Sequence, residues 1–178
     1  MKGIIFNLVE DVVTRDHGVD AWEDLLDEAH VQGAYSAVGS YMDDELDRLV
    51  LAGAAKLGVT PAELLRHIGR RSIPLLKDRY PEFFDIHTNS RSFLGSLNEV
   101  IHPEVRKLYT GATPPHFGFS DDADGSLLME YYSHRSMCAL AEGLILGAGD
   151  AFSQTLTVSQ DQCKLDGYDH CTLRVAGT

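Results

Sequence analysis

The chain is short of cations, of cysteine and of long apolar runs, and each shortage excludes a class of function. Lys and Arg number 15 against 27 Asp and Glu, a formal charge of −12. A surface for nucleic acid or for an anionic membrane needs clustered cations to displace counterions, so neither is an expected partner. No stretch approaches the roughly 18 uncharged apolar residues of a membrane span. Met1-Lys2-Gly3 runs straight into Ile4-Ile5-Phe6-Asn7-Leu8, with acids at Glu10 and Asp11, which is unlike a cleavable export leader. A cytoplasmic protein is expected. Three cysteines, an odd number without an export signal, point to reduced thiols or metal ligands rather than a disulfide framework.

What is present fits one compact domain over residues 1–178, since 44% hydrophobic content at this length can bury a core. Apolar residues recur at helical spacing in Ile4/Ile5/Leu8/Val9/Val12, in Trp22/Leu25/Leu26 and in Leu46/Leu49/Val50/Ala54. Gly33 should punctuate the second helix. Gly58-Val59-Thr60-Pro61 offers a Thr N-cap, Pro at the first helical position and Glu63 three residues after the cap, and Tyr80-Pro81 interrupts the helix that this cap opens. Ser90 to Leu108 reads as another long helix, with Phe93, Leu94, Leu97, Ile101, Val105 and Leu108 on one stripe and His102 beside it, facing inward. Pro103 removes a helical donor, so a kink or restart is expected there.

After Gly111-Ala112-Thr113-Pro114-Pro115 the pattern changes. Leu127 to Tyr132, Thr155 to Gln160 and Tyr168 to Val175 read as strands, with Asp166-Gly167 as a hairpin turn. Between them Arg135 to Phe152 returns to helical spacing. The expected fold is α+β: a helical part over about 1–110, then an antiparallel sheet with packed helix over about 111–178, without repeats or linkers.

Two constellations carry chemistry. An inward His on a helix is most often a hydrogen-bonded core residue. His102, however, lies on an apolar face with no Cys or His at i+3 or i+4 to make an ordinary zinc site. A haem iron needs only one such protein ligand on its proximal side. In Tyr131-x-Ser133-x-Arg135, strand alternation puts two hydroxyls and a guanidinium on one side, a receptor for carboxylates such as haem propionates. The alternative is that Tyr131 and Ser133 are ordinary strand residues and Ser133 caps the next helix.

These residues, together with the opening Met1-Lys2-Gly3-Ile4-Ile5-Phe6-Asn7, Thr113-Pro114-Pro115 and Ala141-Glu142-Gly143-Leu144, give a chain that resembles the H-NOX family along essentially its whole length. That family comprises haem domains related to the sensor region of soluble guanylate cyclase. The resemblance implies haem b with ferrous iron on His102, propionates held by Tyr131, Ser133 and Arg135, and a macrocycle packed against residues such as Ile5 and Pro115. It also implies that oxygen-binding members use a tyrosine where this chain has Leu140. Val9, Met137, Leu140 and Leu144 offer no donor, and bound dioxygen depends on one far more than NO or CO does. The expected function is an NO sensor, also binding CO, that rejects oxygen. No enzymatic activity is expected. Because the sequence stops soon after its last strand, regulation should act in trans on a histidine kinase or a cyclic-dinucleotide enzyme. Competing readings are a haem enzyme such as a peroxidase, and a small-molecule or redox-metal module built on the C-terminal cysteines with a merely structural His102.

Those cysteines are Cys138, Cys163 and Cys171. A two-residue loop at Asp166-Gly167 would set Cys163 opposite His170, and a three-residue loop would set it opposite Cys171. The resemblance implies a zinc site of three Cys and one His in some bacterial relatives. Here Gln160 holds the His position, leaving zinc with His170 as an awkward substitute, or buried free cysteines. The acidic runs Asp43-Asp44-Glu45 and Asp121-Asp122-Asp124 read as solvated surface, the latter lacking calcium-loop spacing.

Overall fold

In the computed structural model, which describes residues 1–177, the first periodic stretches form α1 (Gly3–His17), α2 (Val19–Ala29), α3 (Asp43–Leu57) and α4 (Pro61–Arg79). The start of α4 is the expected reciprocal cap. Glu63 N donates to Thr60 Oγ1 at 3.2 Å, and Thr60 N donates to Glu63 Oε2 at 2.8 Å, an arrangement worth about 1 kcal/mol. The second helix ends before Gly33, because His30 adopts a left-handed φ of 53° and terminates it. The apolar faces of α1 to α4 enclose a first core around Phe6, Trp22, Leu46 and Leu49. Tyr35 and Tyr41, in the loop between α2 and α3, close it by packing on Phe6 with ring centroids 4.1 and 5.6 Å away.

The stretch from Ser90 to Leu108 is not one helix. After a single turn, α5 (Glu82–Asp85), come α6 (Ser90–Gly95), a widened π turn over Leu97–Ile101, and α7 (His102–Leu108). Pro103 leaves the Glu99 carbonyl without its helical donor, and the ladder accordingly widens and restarts at this point. His102 keeps helical dihedrals of −66° and −35° although a proline follows it. The restart also rotates the stripe: Leu108 is exposed, Val105 is only partly covered, and Tyr109 is buried instead.

Four antiparallel strands complete the sheet, β1 (His116–Asp121), β2 (Leu127–Tyr132), β3 (Thr157–Gln162) and β4 (Cys171–Ala176), in the order β1-β2-β4-β3. β1 is not among the expected strands: it lies at the edge, with Gly118 and no β-branched residue. β2 has its expected bounds, β3 starts two residues later than expected, and β4 starts later still, because residues 164–170 leave the ladder. The helix α8 (Cys138–Ala151) begins after Arg135, not at it. It packs on the inner sheet face to form a second core with Phe117, Met129, Tyr131, Ile145, Leu173 and Val175.

Glycines let α8 cross α4 with backbones almost touching. A Cβ on Gly143 would lie 2.1 Å from the Arg66 carbonyl oxygen, and one on Gly69 would lie 2.4 Å from that of Leu140. Arg66 to Glu142, at 2.6 Å, and Arg70 to Asp150, at 2.6 Å, flank the crossing. The contact gives α8 a part in both cores, through Leu140 in the first and Ile145 in the second. Among the described residues, no helix is long and apolar enough to cross a membrane.

Candidate functional site

His102 begins α7 and is buried, its ring 6.1 Å from that of Phe117 at an interplanar angle of 28°. Burial, and to a lesser degree the positive charge of Arg106, push its pKa down to about 4 against the opposing hydrogen bond to the Pro115 carbonyl. The imidazole is therefore neutral at pH 7. The ring Nδ1 is buried and completes no hydrogen bond, a costly state for a core histidine. A neutral imidazole with an unused lone pair is what a metal ligand must offer.

Tyr131 points inward from β2, and burial raises its pKa, while its hydroxyl is within hydrogen-bonding reach of Ser133. Ser133 does not cap α8. Its Oγ accepts from the Arg135 backbone N–H at 3.1 Å, whereas the residue before α8 is Met137, which makes no side-chain cap. Arg135 lies beyond the strand, and its guanidinium donates to Thr113 Oγ1 at 3.0 Å and to Asp43 Oδ2 at 2.8 Å. Tyr131, Ser133 and Arg135 thus meet, with the guanidinium already gripping a carboxylate.

Asp43 also accepts from the Met1 ammonium at 2.5 Å. Burial opposes its ionisation, but the hydrogen bonds from Met1 and Arg135 outweigh burial and hold the carboxyl below its ordinary pKa. Sequence reading gave Asp43 to a solvated face. Nothing in an acidic first helical turn distinguishes the one acid that finds a distant cation, so only the tertiary fold reveals it.

The apolar residues expected around a haem divide between the two cores. Ile5, Val9, Met137 and Leu140 belong to the first, and Leu144 packs on the second; Leu76 touches both. Val9, Met137, Leu140 and Leu144 carry no side-chain donor. A planar apolar group with one metal and two carboxylates fits this set: a lone neutral imidazole, an apolar lining, and a hydroxyl and guanidinium cluster already suited to a carboxylate.

The three cysteines are buried and unbridged. Cys138 Sγ lies 3.8 Å from Cys163 Sγ, which lies 4.0 Å from Cys171 Sγ. Cys163 and Cys171 do come side by side, but past the last ladder pair, Gln162 with Thr172, and through a connection wider than either expected loop, with a 3-10 turn at Lys164–Asp166. Burial pushes the Cys138 thiol up to about 12 and raises that of Cys171. His170 is no substitute ligand: its ring stacks on Tyr132 with centroids 4.7 Å apart, and its Nδ1 bonds Asp169. Gln160 stands beside Cys138 instead. The four-ligand zinc set is therefore not assembled. The second acidic run is also paired, with Arg174 against Asp122 and Arg91 against Asp121.

Comparison with known proteins bears on this arrangement directly. Residues 2–160 match the family model described as haem-NO-binding. Soluble guanylate cyclase gcy-35 of Caenorhabditis elegans is 30% identical over 141 residues, covering 76% of this chain; the chain spans only 20% of that relative's length. The crystal structure of an H-NOX protein from S. oneidensis in the Fe(II)NO state superposes with a TM-score of 0.92 at 32% identity, over 100% of this chain and 99% of that one. An unliganded Fe(II) H-NOX protein from K. algicida gives 0.85 at 26% identity, over 98% and 95%. The chain belongs to the haem-NO-binding family, the H-NOX domains, which bind haem and act as gas sensors rather than enzymes.

Proposed function

We propose that the chain forms one haem-binding unit over residues 1–178, a cytoplasmic NO sensor that excludes oxygen and regulates a histidine kinase or cyclic-dinucleotide enzyme in trans. The observation that carries this reading is His102, buried and neutral with Nδ1 unpartnered, in a chain where Val9 of α1, Met137 just before α8 and Leu140 of α8 present no donor to a bound gas. In this reading His102 is the proximal ligand. Tyr131, Ser133 and Arg135 hold the propionates, Arg135 exchanging or sharing its Asp43 contact, and Ile5, Val9, Pro115, Leu140 and Leu144 line the pocket.

Haem b, when bound, would supply an iron able to take a diatomic gas. The protein's own part is selection and transmission. Selection against oxygen follows from the missing donor, because dioxygen gains partial negative charge on binding and NO or CO gains far less. Transmission falls to α7, which carries His102 and restarts at a proline beside a π turn, so that its backbone ladder is already interrupted where a shift would begin. The S. oneidensis relative has been solved with NO and with CO on ferrous iron, which supports these gases as ligands.

The test is His102→Gly. It should lose haem, or hold it only when free imidazole is supplied. Stoichiometric haem with an unchanged spectrum in His102→Gly overturns the assignment.

A further inference from the structure

The cysteine cluster is a built site that the haem reading leaves unused. Its three Sγ atoms lie within 4.8 Å of one another, with two separations of 3.8 and 4.0 Å. Sulfurs bound about 2.3 Å from one shared ion stand about 3.8–4.0 Å apart, between tetrahedral and trigonal angles. Two of the three separations already match one shared ion, and the third, within 4.8 Å, leaves only a small closing movement.

The surroundings also suit thiolates. Cys163 Sγ accepts from Leu165 N at 3.4 Å, and Cys171 Sγ accepts from Lys164 N at 3.2 Å. This is a turn that aims backbone N–H groups at sulfur, closed by Gly167 at φ 94°. Gln160 completes the pattern at the third sulfur. A bulge at Asp161 shifts the register between Gln160 and Gln162, which brings Gln160 and Cys163 onto the same inner face although they are three residues apart. The Gln160 amide lies against Cys138, and its Nε2 is buried with no hydrogen bond completed. An amide N–H beside a thiol lacks a good acceptor; beside a thiolate it has one.

We propose that Cys138, Cys163 and Cys171 form a three-sulfur site for a thiophilic d10 cation satisfied by three ligands, the cuprous ion, with Gln160 as an outer hydrogen-bond donor to the Cys138 sulfur rather than a fourth ligand. Structural zinc is four-coordinate and closed, and no fourth nitrogen, sulfur or carboxylate ligand joins the three sulfurs among the described residues. Thiolates alone select soft cations such as Cu(I), and the three N–H groups offset the negative charge that a monovalent ion leaves uncompensated.

The experiment is anaerobic titration of the reduced full chain with Cu(I) alone, against a competing chelator, and separately with Zn(II) alone. Cu(I) should bind at one equivalent, with a sulfur-to-copper absorption band that Cys163→Ser abolishes. Zn(II) should bind the unmodified protein at least about tenfold more weakly than it binds Gln160→His, which supplies a fourth ligand, while Cu(I) affinity changes by less than about threefold in that variant. The haem band and far-ultraviolet dichroism report that each variant is folded. Zinc bound as tightly by the unmodified protein as by folded Gln160→His overturns the proposal. So does Cu(I) uptake that is absent, or unchanged in folded Cys163→Ser.

Discussion

Arg135 and Asp43 are 92 residues apart in the chain and 2.8 Å apart in space. The pair ties the loop after β2, on the sheet side, to the first turn of α3, on the helical side. It therefore joins the sheet part of the chain to its helical part, and a carboxylate arriving at Arg135 would compete with the carboxylate already there.

Replacing Asp43 with Asn tests that link through stability. The Asp43 side chain is 40% exposed, so solvent screening limits the expected loss to less than about 1 kcal/mol in urea unfolding at pH 7. The folded carboxyl titrates below its ordinary value, whereas the unfolded one titrates near about 3.9. The stabilisation is therefore present above that unfolded pKa and is lost as pH falls through the folded one. The difference between the parent and Asp43→Asn should shrink to nothing in strong acid. A gap that persists there would mean that Asp43 acts through packing and not through charge.

The α4 and α8 crossing predicts a larger effect. In Gly143→Ala the new methyl would sit 2.1 Å from the backbone oxygen of Arg66, which cannot turn aside as a side chain could. Overpacking of this kind typically costs about 1–3 kcal/mol. Thermal or urea unfolding should show at least that loss, while Gly95→Ala, where a Cβ meets nothing, should fall within about 0.5 kcal/mol of the parent.

Local signals and distant ones fared differently in the sequence. The α4 cap, strand β2 and the inward face of His102 were legible because capping, alternation and helical spacing are read over a few neighbouring residues. The inward face of Tyr131 was legible in the same way, whereas Ser133 lies past the end of β2, where alternation no longer applies. Strand β1 was not legible, since His116 to Asp121 carries a glycine and no β-branched residue and is held by pairing with β2. The bulge at Asp161 and the salt link of Asp43 depend on partners that are remote in sequence. Pro103 announced a break, but the π turn ahead of it and the exposure of Leu108 depend on how the helix packs after restarting.

The proposed gas selectivity rests on Leu140, on the α8 face that packs in the first core. The ferrous protein should bind NO and CO and show no stable oxygen complex in air, and Leu140→Tyr should gain oxygen affinity by placing a hydroxyl on that face. Absorption spectra under each gas are the measurement. A stable oxygen complex in the unmodified protein would show that a donor reaches the site from elsewhere.

Transmission through α7 makes the sharpest demand. If the helix carries the message, the ring must be tied to it, because a ligand event shifts a two-state element only through a bond or contact that differs between the states. His102→Gly supplied with free imidazole keeps a ligand for iron and cuts the tether to α7. The reconstituted variant should bind NO with a spectrum close to that of the parent and yet fail to change the activity of the partner enzyme. CO should also act more weakly than NO on the parent, if release of His102 is what moves α7. Pro103→Ala restores a donor for the Glu99 carbonyl and should favour a continuous helix over the restarted one. It should therefore raise the stability of α7 in amide hydrogen exchange while blunting the response to NO. A full NO response from the imidazole-supplied variant would exclude α7 as the transmitter and move the search to the Arg135 and Asp43 link on the other side of the site.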